Sequence, residues 1–436
     1  MPEMKSLTLN DKTYDCFVDS VARSQVEATA VVDSASGETI ALSNASNYKL
    51  LGLHIYGKTT QDGTPTPDAP VDLVSVGNRG SIETRVMGKN ILPLPYRDGA
   101  AKTVNGITFL VNGDGSVSVN GTATANANFF FTNYNFVLKK GVTYTVSVGD
   151  RLTASSAYLW IATDTKETIV GINLNNARSA VFTPKNDVHN AAVYIYVDAG
   201  GSVGGVLYPQ IENGAKATNY ERYQAQVMSV PTPNGLPGIP VTSGGNYTDA
   251  SGQQWICDEI DLARGVYIQR IYTETVTVDK VDSVDNGFVS ASGAIVYVKL
   301  KNQRAVNNSI CLVVCDRATA VAFNARGELR DAYRCYAPES SYTNISLRYP
   351  ISLGERTVED ARKDFVGSTI CYVALEPIEI PLSEEELAAY AALHTYRGNT
   401  TVTNDAGAHM ELEYVMDAKK YIDSQISAGI LAATVE

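Results

Sequence analysis

Residues 111–131 read VNGDGSVSVNGTATANANFFF, and polar and apolar side chains alternate along much of this stretch. A period of two places successive side chains on opposite faces of an extended strand, whereas a helix requires a period of 3.6. The Asp-Gly and Asn-Gly pairs favour tight turns between antiparallel strands. Similar alternating runs, separated by turn residues, recur along most of the chain. The pattern therefore predicts a mainly β protein with antiparallel sheets.

The length of the chain indicates more than one hydrophobic core. Its 436 residues suit about two to four domains, because single cores stop growing well below this size. The chain contains 34 glycines and 25 tyrosines but only 2 tryptophans, which is typical of a β protein with many turns.

The charge distribution excludes some classes of partner. The formal net charge is −12, and Lys and Arg are scattered singly, whereas nucleic-acid binding requires a basic patch. The opening residues, MPEMKSLTLNDKTYDC, include no apolar segment typical of a secretory signal, and no apolar run approaches the ~20 residues of a membrane span. We therefore expect folding in a cytoplasm, no membrane insertion and no nucleic-acid partner.

Cysteine and histidine spacing predicts neither disulfides nor a metal site. Cys311 and Cys315 are the closest pair, but on a strand their Cα atoms would lie roughly 13 Å apart, too far for a disulfide. The four histidines are isolated from one another, and NGDGS at 112–116 lacks the repeated acids of a calcium loop. We expect buried thiols in a reducing compartment, no metal and no cofactor.

Two proline-rich stretches, QDGTPTPDAP at 61–70 and VPTPNGLPGIP at 230–240, flank a segment of different composition. We interpret this segment as a β domain inserted into a loop of another domain, which requires its two ends to lie close together. The predicted division is an N-terminal docking β segment at 1–47, a discontinuous β-sandwich domain at 48–88 and 224–381, an inserted carbohydrate-binding-like jelly roll at 89–223, and a C-terminal association segment with helices and a β-hairpin at 382–436.

The inserted segment contains about eight short alternating runs and no helical period, which fits a jelly roll or a related β-sandwich. The runs are GITFLVN, SVSVNGTA, NFFFTN, TYTVSVG, AYLWIAT, RSAVFTP, AAVYIYVDA and VLYPQIE. In the N-terminal segment, Ser36-Gly37 predicts a hairpin turn between the runs ATAVVD and ETIAL.

Short helices are predicted toward the C-terminus. Thr357 and Asp360 stand at capping-box spacing, and so do Ser383 and Glu386 at the start of SEEELAAYAALHT. The stretch 416–436 has a weak amphipathic period that resembles a heptad repeat. A short terminal helix is marginal alone, so we expect it to associate with copies of itself or with another part of an assembly.

No catalytic motif is visible in the sequence: there is no Gly-rich phosphate loop, no G-x-S-x-G and no H-E-x-x-H. Glycoside hydrolysis requires two carboxylates that face each other across a cleft. Asp258, Glu259 and Asp261 are the densest acids near an aromatic residue, but their context is typical of a strand end and turn with Arg264 as ion partner. We therefore expect no enzyme activity and assign no catalytic residue.

Aromatic residues are the strongest candidates for a binding site. Alternation places Tyr158 and Trp160 on one face of AYLWIAT, and Tyr194 and Tyr196 on one face of AAVYIYVDA, with aliphatic residues on the opposite faces. The four rings can form a platform for stacking sugar rings, or they can pack against a neighbouring domain or subunit. Within Phe129–Phe131 the outer two rings share a face, which favours core packing plus one interface residue.

Several long phrases of the chain resemble tail proteins of long-tailed phages and prophages of Firmicutes, which are described as minor structural, tail-tip or baseplate proteins. The phrases are LHIYGKTTQDGTPTPDAPVDLVSVG, NGLPGIPVTSGGNYTDASGQQWICDEIDLARGVYIQRI and PLSEEELAAYAALHTYRGNTTVTNDAGAHMELEYV. The inserted segment, with GKNIL, DGSVSVNGTA, YTVSVG and YPQIENGAKATNYERY, is similar to the carbohydrate-binding-module-like jelly rolls of such tails.

The resemblance implies a structural component of the tail tip or baseplate, located in the virion, that contributes to host adsorption. It further implies other tail proteins as partners, a homotrimeric state, and possible binding of host cell-wall or capsular saccharide through the insert. It supplies no set of binding residues. Two other functions stay open: a dedicated receptor-binding protein and a saccharide-cleaving tail enzyme, the latter disfavoured by the missing carboxylate pair.

Overall fold

The computed structural model describes residues 6–9, 12–17, 27–34, 39–132, 136–165, 167–300, 313–321, 329–337, 344–420 and 422. In chain order the strands are β1 (Ser6–Leu9), β2 (Lys12–Phe17), β3 (Glu27–Asp33), β4 (Thr39–Ala45), β5 (Gly52–Tyr56), β6 (Thr59–Thr60), β7 (Val74–Ser75), β8 (Gly80–Met87), β9 (Ala101–Val104), β10 (Ile107–Val111), β11 (Val117–Thr122), β12 (Ala127–Phe130), β13 (Phe136–Leu138), β14 (Tyr144–Ser147), β15 (Leu152–Ala162), β16 (Thr168–Asn173), β17 (Ser179–Phe182), β18 (Val188–Leu207), β19 (Gln210–Asn213), β20 (Ala225–Thr232), β21 (Gly238–Val241), β22 (Tyr247–Thr248), β23 (Gln254–Cys257), β24 (Glu259–Asp261), β25 (Val266–Thr275), β26 (Val281–Asp285), β27 (Ile295–Lys299), β28 (Val313–Cys315), β29 (Thr319–Ala320), β30 (Arg334–Tyr336), β31 (Asn344–Arg348), β32 (Thr369–Pro381), β33 (Gly398–Asn404) and β34 (His409–Asp417). The helices are α1 (Val289–Ser292), α2 (Val358–Phe365) and α3 (Glu384–Ala392), with 3₁₀ turns at Val278–Lys280 and Ile351–Leu353.

Regular structure is therefore mainly β, as predicted, and the described strand pairs are antiparallel except for β29 with β30. Several separate sheets pack around distinct hydrophobic cores. The prediction of a mainly β protein with antiparallel sandwiches and few short helices is confirmed.

Strands β9 to β19 form a sandwich of two sheets. The larger sheet has eight strands in the order β16-β15-β18-β11-β10-β9, with β12 and β13 also paired to β18, and the smaller sheet is β17-β14-β19. Phe109, Phe129 and Ile195 from the larger sheet share one core with Val146 and Ile211 from the smaller sheet. Among the described strand pairs, none joins a strand of β9 to β19 to a strand outside this range.

The two ends of this sandwich lie side by side. β8 leads into it and β20 leaves it, and these two strands pair with each other along their lengths. The amide of Gly88 donates to the carbonyl of Gln224 at 3.0 Å. We call this pair of connecting strands the neck. Close to it, the side-chain amide of Asn90 donates to the carbonyls of Pro209 and Glu221. Entry and exit are thus bridged by hydrogen bonds, the arrangement that an inserted domain requires.

A second sheet of thirteen strands combines the N-terminal, central and C-terminal parts of the chain. Its longest path is β20-β8-β33-β4-β34-β5-β24-β25-β32-β28, and β3, β2 and β1 branch from β34. Its main core is formed by side chains of β3, β4, β5, β8, β20, β24, β33 and β34, whereas β28 and β32 contribute to other cores. β33 and β34, which the sequence placed in an association segment, lie in the middle of the sheet.

The predicted hairpin around Ser36-Gly37 is wrong in its pairing. β3 pairs with β34 over all of Glu27–Asp33, and β4 pairs mainly with β33. β3 forms a ladder with β34 along its whole length and β4 forms one with β33, and alternate side chains of both strands are thereby buried in the core of the large sheet. The turn residues themselves lie outside the described residues.

A five-stranded sheet, β26-β27-β31-β30-β29, packs with α2 around a third core. Both predicted capping boxes are confirmed: Thr357 and Asp360 cap α2, and Ser383 and Glu386 cap α3. The predicted terminal helix lies almost entirely outside the described residues.

The expectation of buried thiols is confirmed at described cysteines, whereas the spacing argument about Cys311 and Cys315 stays a prediction. Cys257, Cys315 and Cys371 are buried, and burial raises the pKa of the first two to about 12. Cys311 lies outside the described residues.

Candidate functional site

The four aromatic residues singled out in the sequence lie together on the outer face of the inserted sandwich. β15 carries Tyr158 and Trp160, and the adjacent strand β18 carries Tyr194 and Tyr196. All four are half-buried, whereas the residues that alternate with them on both strands are buried in the core. The alternation argument therefore assigned the two faces correctly.

Strand register arranges this outer face in two rows. Directly opposite residues of an antiparallel pair project from the same face, so each row crosses β16, β15, β18 and β12. The first row is Asn173, Tyr158, Tyr196 and Asn128, and the second is Gly171, Trp160, Tyr194 and Phe130. We call these eight residues the aromatic face.

Ring stacking and one glycine shape the aromatic face. Tyr158 and Trp160 stack with their ring centroids 5.9 Å apart. The indole of Trp160 lies over Gly171, where a Cβ atom would overlap the ring. Glycine thus allows the ring to lie flat on the neighbouring strand.

Phe130 is the functional candidate that the sequence did not assign to this face. Phe129 and Phe131 are buried in the core, whereas Phe130 is half-buried and stacks on Tyr194 at 4.7 Å. The exposed guanidinium of Arg97 lies 4.4 Å from the centre of the Phe130 ring. Alternation separates Phe130 from its neighbours, but only the pairing of β12 with β18 brings it beside Tyr194.

Polar groups border the aromatic rings. Lys102 donates to the side chains of Asp98 and Asn128 at 2.7 and 3.3 Å, at the β12 side of the face. Two residues along β18 from Tyr196 lies Asp198, and burial first and then the charge of Asp198 raise the pKa of Tyr196. Apolar rings flanked by amides, a carboxylate and a guanidinium are suited to a ligand with apolar faces and polar edges, such as a saccharide.

A second cluster involves the acids that the sequence analysis assigned to a charged strand end and turn. Asp258, Glu259 and Asp261 are buried, because β24 lies between β5 and β25 inside the large sheet. Glu259 bonds to His54 at 2.9 Å and to Arg270 at 2.9 Å. The expectation of a charged strand end and turn with Arg264 as the ion partner is therefore incomplete. The Arg264 guanidinium pairs with Glu379 at 2.7 Å and lies 3.9 Å from Asp261, whose carboxylate also accepts from the Arg264 backbone amide.

The charges in this cluster balance one another. The hydrogen bond that His54 donates to Glu259 raises the pKa of His54. Burial alone would raise the pKa of Glu259, but the bond from His54 and the charge of Arg270 hold it below its ordinary value. Both pKa shifts favour an imidazolium–carboxylate pair.

His54, Glu259 and Asp261 are also the described residues whose ligand atoms could hold a metal, since these atoms lie within 4.8 Å of one another. A metal would have to replace the bond between His54 and Glu259 and sit beside the Arg270 guanidinium. Because like charges repel strongly in a buried site, this donor set favours ion pairing over metal binding.

Comparisons with known proteins identify no family. No family model matches the chain, and no curated protein matches it. Solved structures give distant likenesses only. Accessory secretory proteins 1, 2 and 3 of Streptococcus pneumoniae are 13% identical, with 29% of this chain and 96% of that chain covered and a TM-score of 0.20.

Two further solved structures have lower identities and TM-scores. The infectious bursal disease virus VP2 subviral particle is 9% identical, with 52% of this chain and 84% of that chain covered and a TM-score of 0.15. The adhesin domain of Epf from Streptococcus pyogenes is 9% identical, with 75% and 98% covered and a TM-score of 0.11. At such TM-scores these likenesses carry no argument about function. Within the described ranges, no helix has the length and apolar character needed to cross a membrane.

Proposed function

We propose that this protein is a structural component of a phage tail tip or baseplate, and that it contributes to host adsorption by binding cell-surface saccharide through the aromatic face. The tail assignment is supported by the long phrases that resemble tail proteins. The saccharide assignment is supported by the aromatic face itself.

The observation that carries the binding proposal is the two-row arrangement of half-buried rings on one sheet surface. A flat sheet holds neighbouring rings at fixed spacing, so little conformational freedom is lost when a ligand stacks on them. Ring faces contact the C–H faces of sugars, and the flanking Asn128, Asn173 and Arg97 can orient the hydroxyls. The ligand class proposed is host cell-wall or capsular saccharide.

Two measurements test the two parts of this proposal. Gold-labelled antibody against the protein should mark one end of the phage tail in electron micrographs, and label on the capsid would contradict the tail assignment. The full chain should bind a subset of an array of cell-wall and capsular polysaccharide fragments. An array without any hit would contradict the saccharide assignment.

A dedicated receptor-binding protein would use the same face. The two functions predict different phenotypes for phage particles that lack the protein. For a structural component, particles lacking the protein should fail to assemble complete tails; for a dedicated receptor-binding protein, tails should be complete but unable to adsorb. The proposal includes no enzyme activity, so bound saccharides should be recovered uncleaved.

A further inference from the structure

A cavity of about 500 Å³ lies in the large sheet region, far along the chain from the aromatic face. Its walls are the proline-rich segment 231–237, strand β25, the end of β32 and the first turn of α3. Cavities of a few hundred Å³ with apolar walls and a few polar groups are the usual size and composition of binding sites. None of the functions considered above uses this one.

The polar groups that line the cavity include two carboxylates. Asp258 is buried; its Oδ1 accepts from the amides of Arg270 and Ile271 at 2.7 Å each, and its Oδ2 accepts from the hydroxyl of Tyr267. Glu386 enters from α3, where its Oε2 completes the capping box with Ser383.

No Lys, Arg or His occurs among the described residues that line the cavity. Tyr267 and Tyr272 are also among the lining residues. Carboxylates and tyrosines with no cation among the lining residues favour a positively charged ligand. The Arg270 guanidinium, whose charge also acts on Asp258, lies outside the lining and pairs with Glu259 at 2.9 Å.

Exposed aliphatic side chains extend this site beyond the cavity. Ile378 and Ile380 on β32 are 43% and 44% exposed, and Leu387 on α3 is 38% exposed. Strand register places Ile380 opposite Tyr267 and Ile378 opposite Gln269, so both isoleucines project on the cavity side of the sheet. Neighbouring large aliphatic residues that face water mark surfaces that other proteins cover.

We propose that the cavity receives the Arg or Lys side chain of a partner protein, and that apolar residues beside that basic residue cover Ile378, Ile380 and Leu387. The two carboxylates supply the charge complementarity, and the apolar rim requires an occupant larger than a free amine. A basic anchor in a pocket, surrounded by apolar contacts, is a common form of protein–protein recognition. This inference does not depend on saccharide binding.

The test uses the full chain and two labelled pentapeptides, SLRLS and SLQLS, in fluorescence anisotropy at pH 8. This pH lies above the value of about 7 to which burial raises the pKa of Asp258. We expect SLRLS to bind about tenfold more tightly than SLQLS, the effect of one partly desolvated ion pair. Equal affinities for the two peptides would overturn the proposal.

Glu386→Gln and Glu385→Gln form a matched pair of variants. Glutamine retains the capping box, so Glu386→Gln should keep α3 intact while it removes the preference for SLRLS. Glu385 occupies the same first turn but does not line the cavity, so its variant should keep the preference. A preference that survives Glu386→Gln, in a protein whose melting is unchanged, would contradict the assigned charge contact.

The apolar rim is tested separately. Ile380→Ser should weaken binding of both peptides by a similar factor, whereas Val181→Ser, which alters an exposed aliphatic residue of the inserted sandwich, should weaken neither. Arginine amide is the third probe. If arginine amide alone binds as tightly as SLRLS, the cavity is a site for small cations and the proposed protein partner is wrong.

Discussion

Trp160 lies between Gly171 and Tyr194 on the two neighbouring strands, and its ring is half-buried by side chains of its own sheet. A ring in this position can contribute to binding and to folding, and the size of each contribution is measurable. Asp258 differs, because it is buried and its carboxylate accepts hydrogen bonds from two backbone amides of β25. These two residues give opposite expectations for stability and binding.

Trp160→Ala should weaken binding to the saccharides identified on an array by about tenfold or more, because one stacked ring contributes roughly 1–3 kcal/mol. The free energy of unfolding should fall by less than about 2 kcal/mol, since the ring is only half-buried. Titration and urea denaturation of the same variant measure both quantities. Tyr48→Ala, which removes an exposed ring outside the aromatic face, is the control and should keep full affinity. A stability loss of about 3–5 kcal/mol, with binding lost only through unfolding, would instead favour packing against another domain.

Asp258→Asn should change how stability depends on pH. Burial raises the pKa of Asp258 to about 7, so the folded protein binds this proton more tightly than the unfolded chain. The stabilisation is present below the ordinary carboxyl pKa and is lost as the pH rises through about 7. Between pH 5 and pH 8, wild type should therefore lose on the order of 2 kcal/mol relative to the variant, measured by urea denaturation at both values. A pH-independent difference between the two proteins would show that Asp258 is already ionised at pH 5.

At the scale of elements, the pairing of β15 with β16 and β18 turns single aromatic residues into a surface. β15 and β18 each carry two rings on one face, and their pairing places the four rings side by side in two adjacent rows. Gly171 is essential to this arrangement because any side chain there would meet the Trp160 ring. The edge strand β16 therefore controls the shape of the aromatic face without contributing a ring.

Gly171→Ala should displace the Trp160 ring, weaken saccharide binding about as much as Trp160→Ala, and change the tryptophan fluorescence. Stability should change by no more than about 1 kcal/mol, because alanine suits a strand better than glycine does. Gly113→Ala is the control, since a Cβ atom at Gly113 meets nothing within 4 Å. Full affinity in Gly171→Ala would contradict a role for the flat indole.

At the scale of the whole molecule, the inserted sandwich is joined to the rest of the described chain through the paired strands β8 and β20. The strands β8 and β20 carry the chain into and out of the inserted sandwich, and the strand pairs on either side do not mix. Side-chain contacts cross the neck, among them a 2.8 Å hydrogen bond from Asn213 to Thr401. The arrangement supports independent folding of the insert.

Residues 89–223, expressed alone, should melt in one cooperative transition followed by circular dichroism. The remainder, with residues 88 and 224 joined by a short linker, should stay soluble, because these two residues already lie within hydrogen-bond distance of each other. An isolated segment without cooperative melting would refute the insertion model.

Sedimentation analysis at tens of micromolar should give the mass of a trimer for the full chain. Closed cyclic symmetry is the commonest arrangement of homo-oligomers and would cover exposed aliphatic surface, and the heptad-like pattern of residues 416–436 predicts a further contact between copies. Removal of residues 418–436 should weaken the assembly. A monomer at these concentrations would contradict self-association through this chain alone.

Local pattern by itself determined the β class, the starts of α2 and α3, and the division of AYLWIAT and AAVYIYVDA into an aliphatic and an aromatic face. These features follow from side-chain periods and from capping groups a few residues apart, so neighbouring residues are sufficient to specify them. Alternation states which side of a strand a residue faces, but not which strand lies beside it. Only the tertiary structure therefore placed Phe130 against Tyr194, buried Asp258 between distant strands and put β34 in the middle of a sheet that begins near the N-terminus. Which strands pair is decided by the hydrogen bonds and the buried surface between residues that are far apart in the sequence. No short stretch of sequence includes both partners.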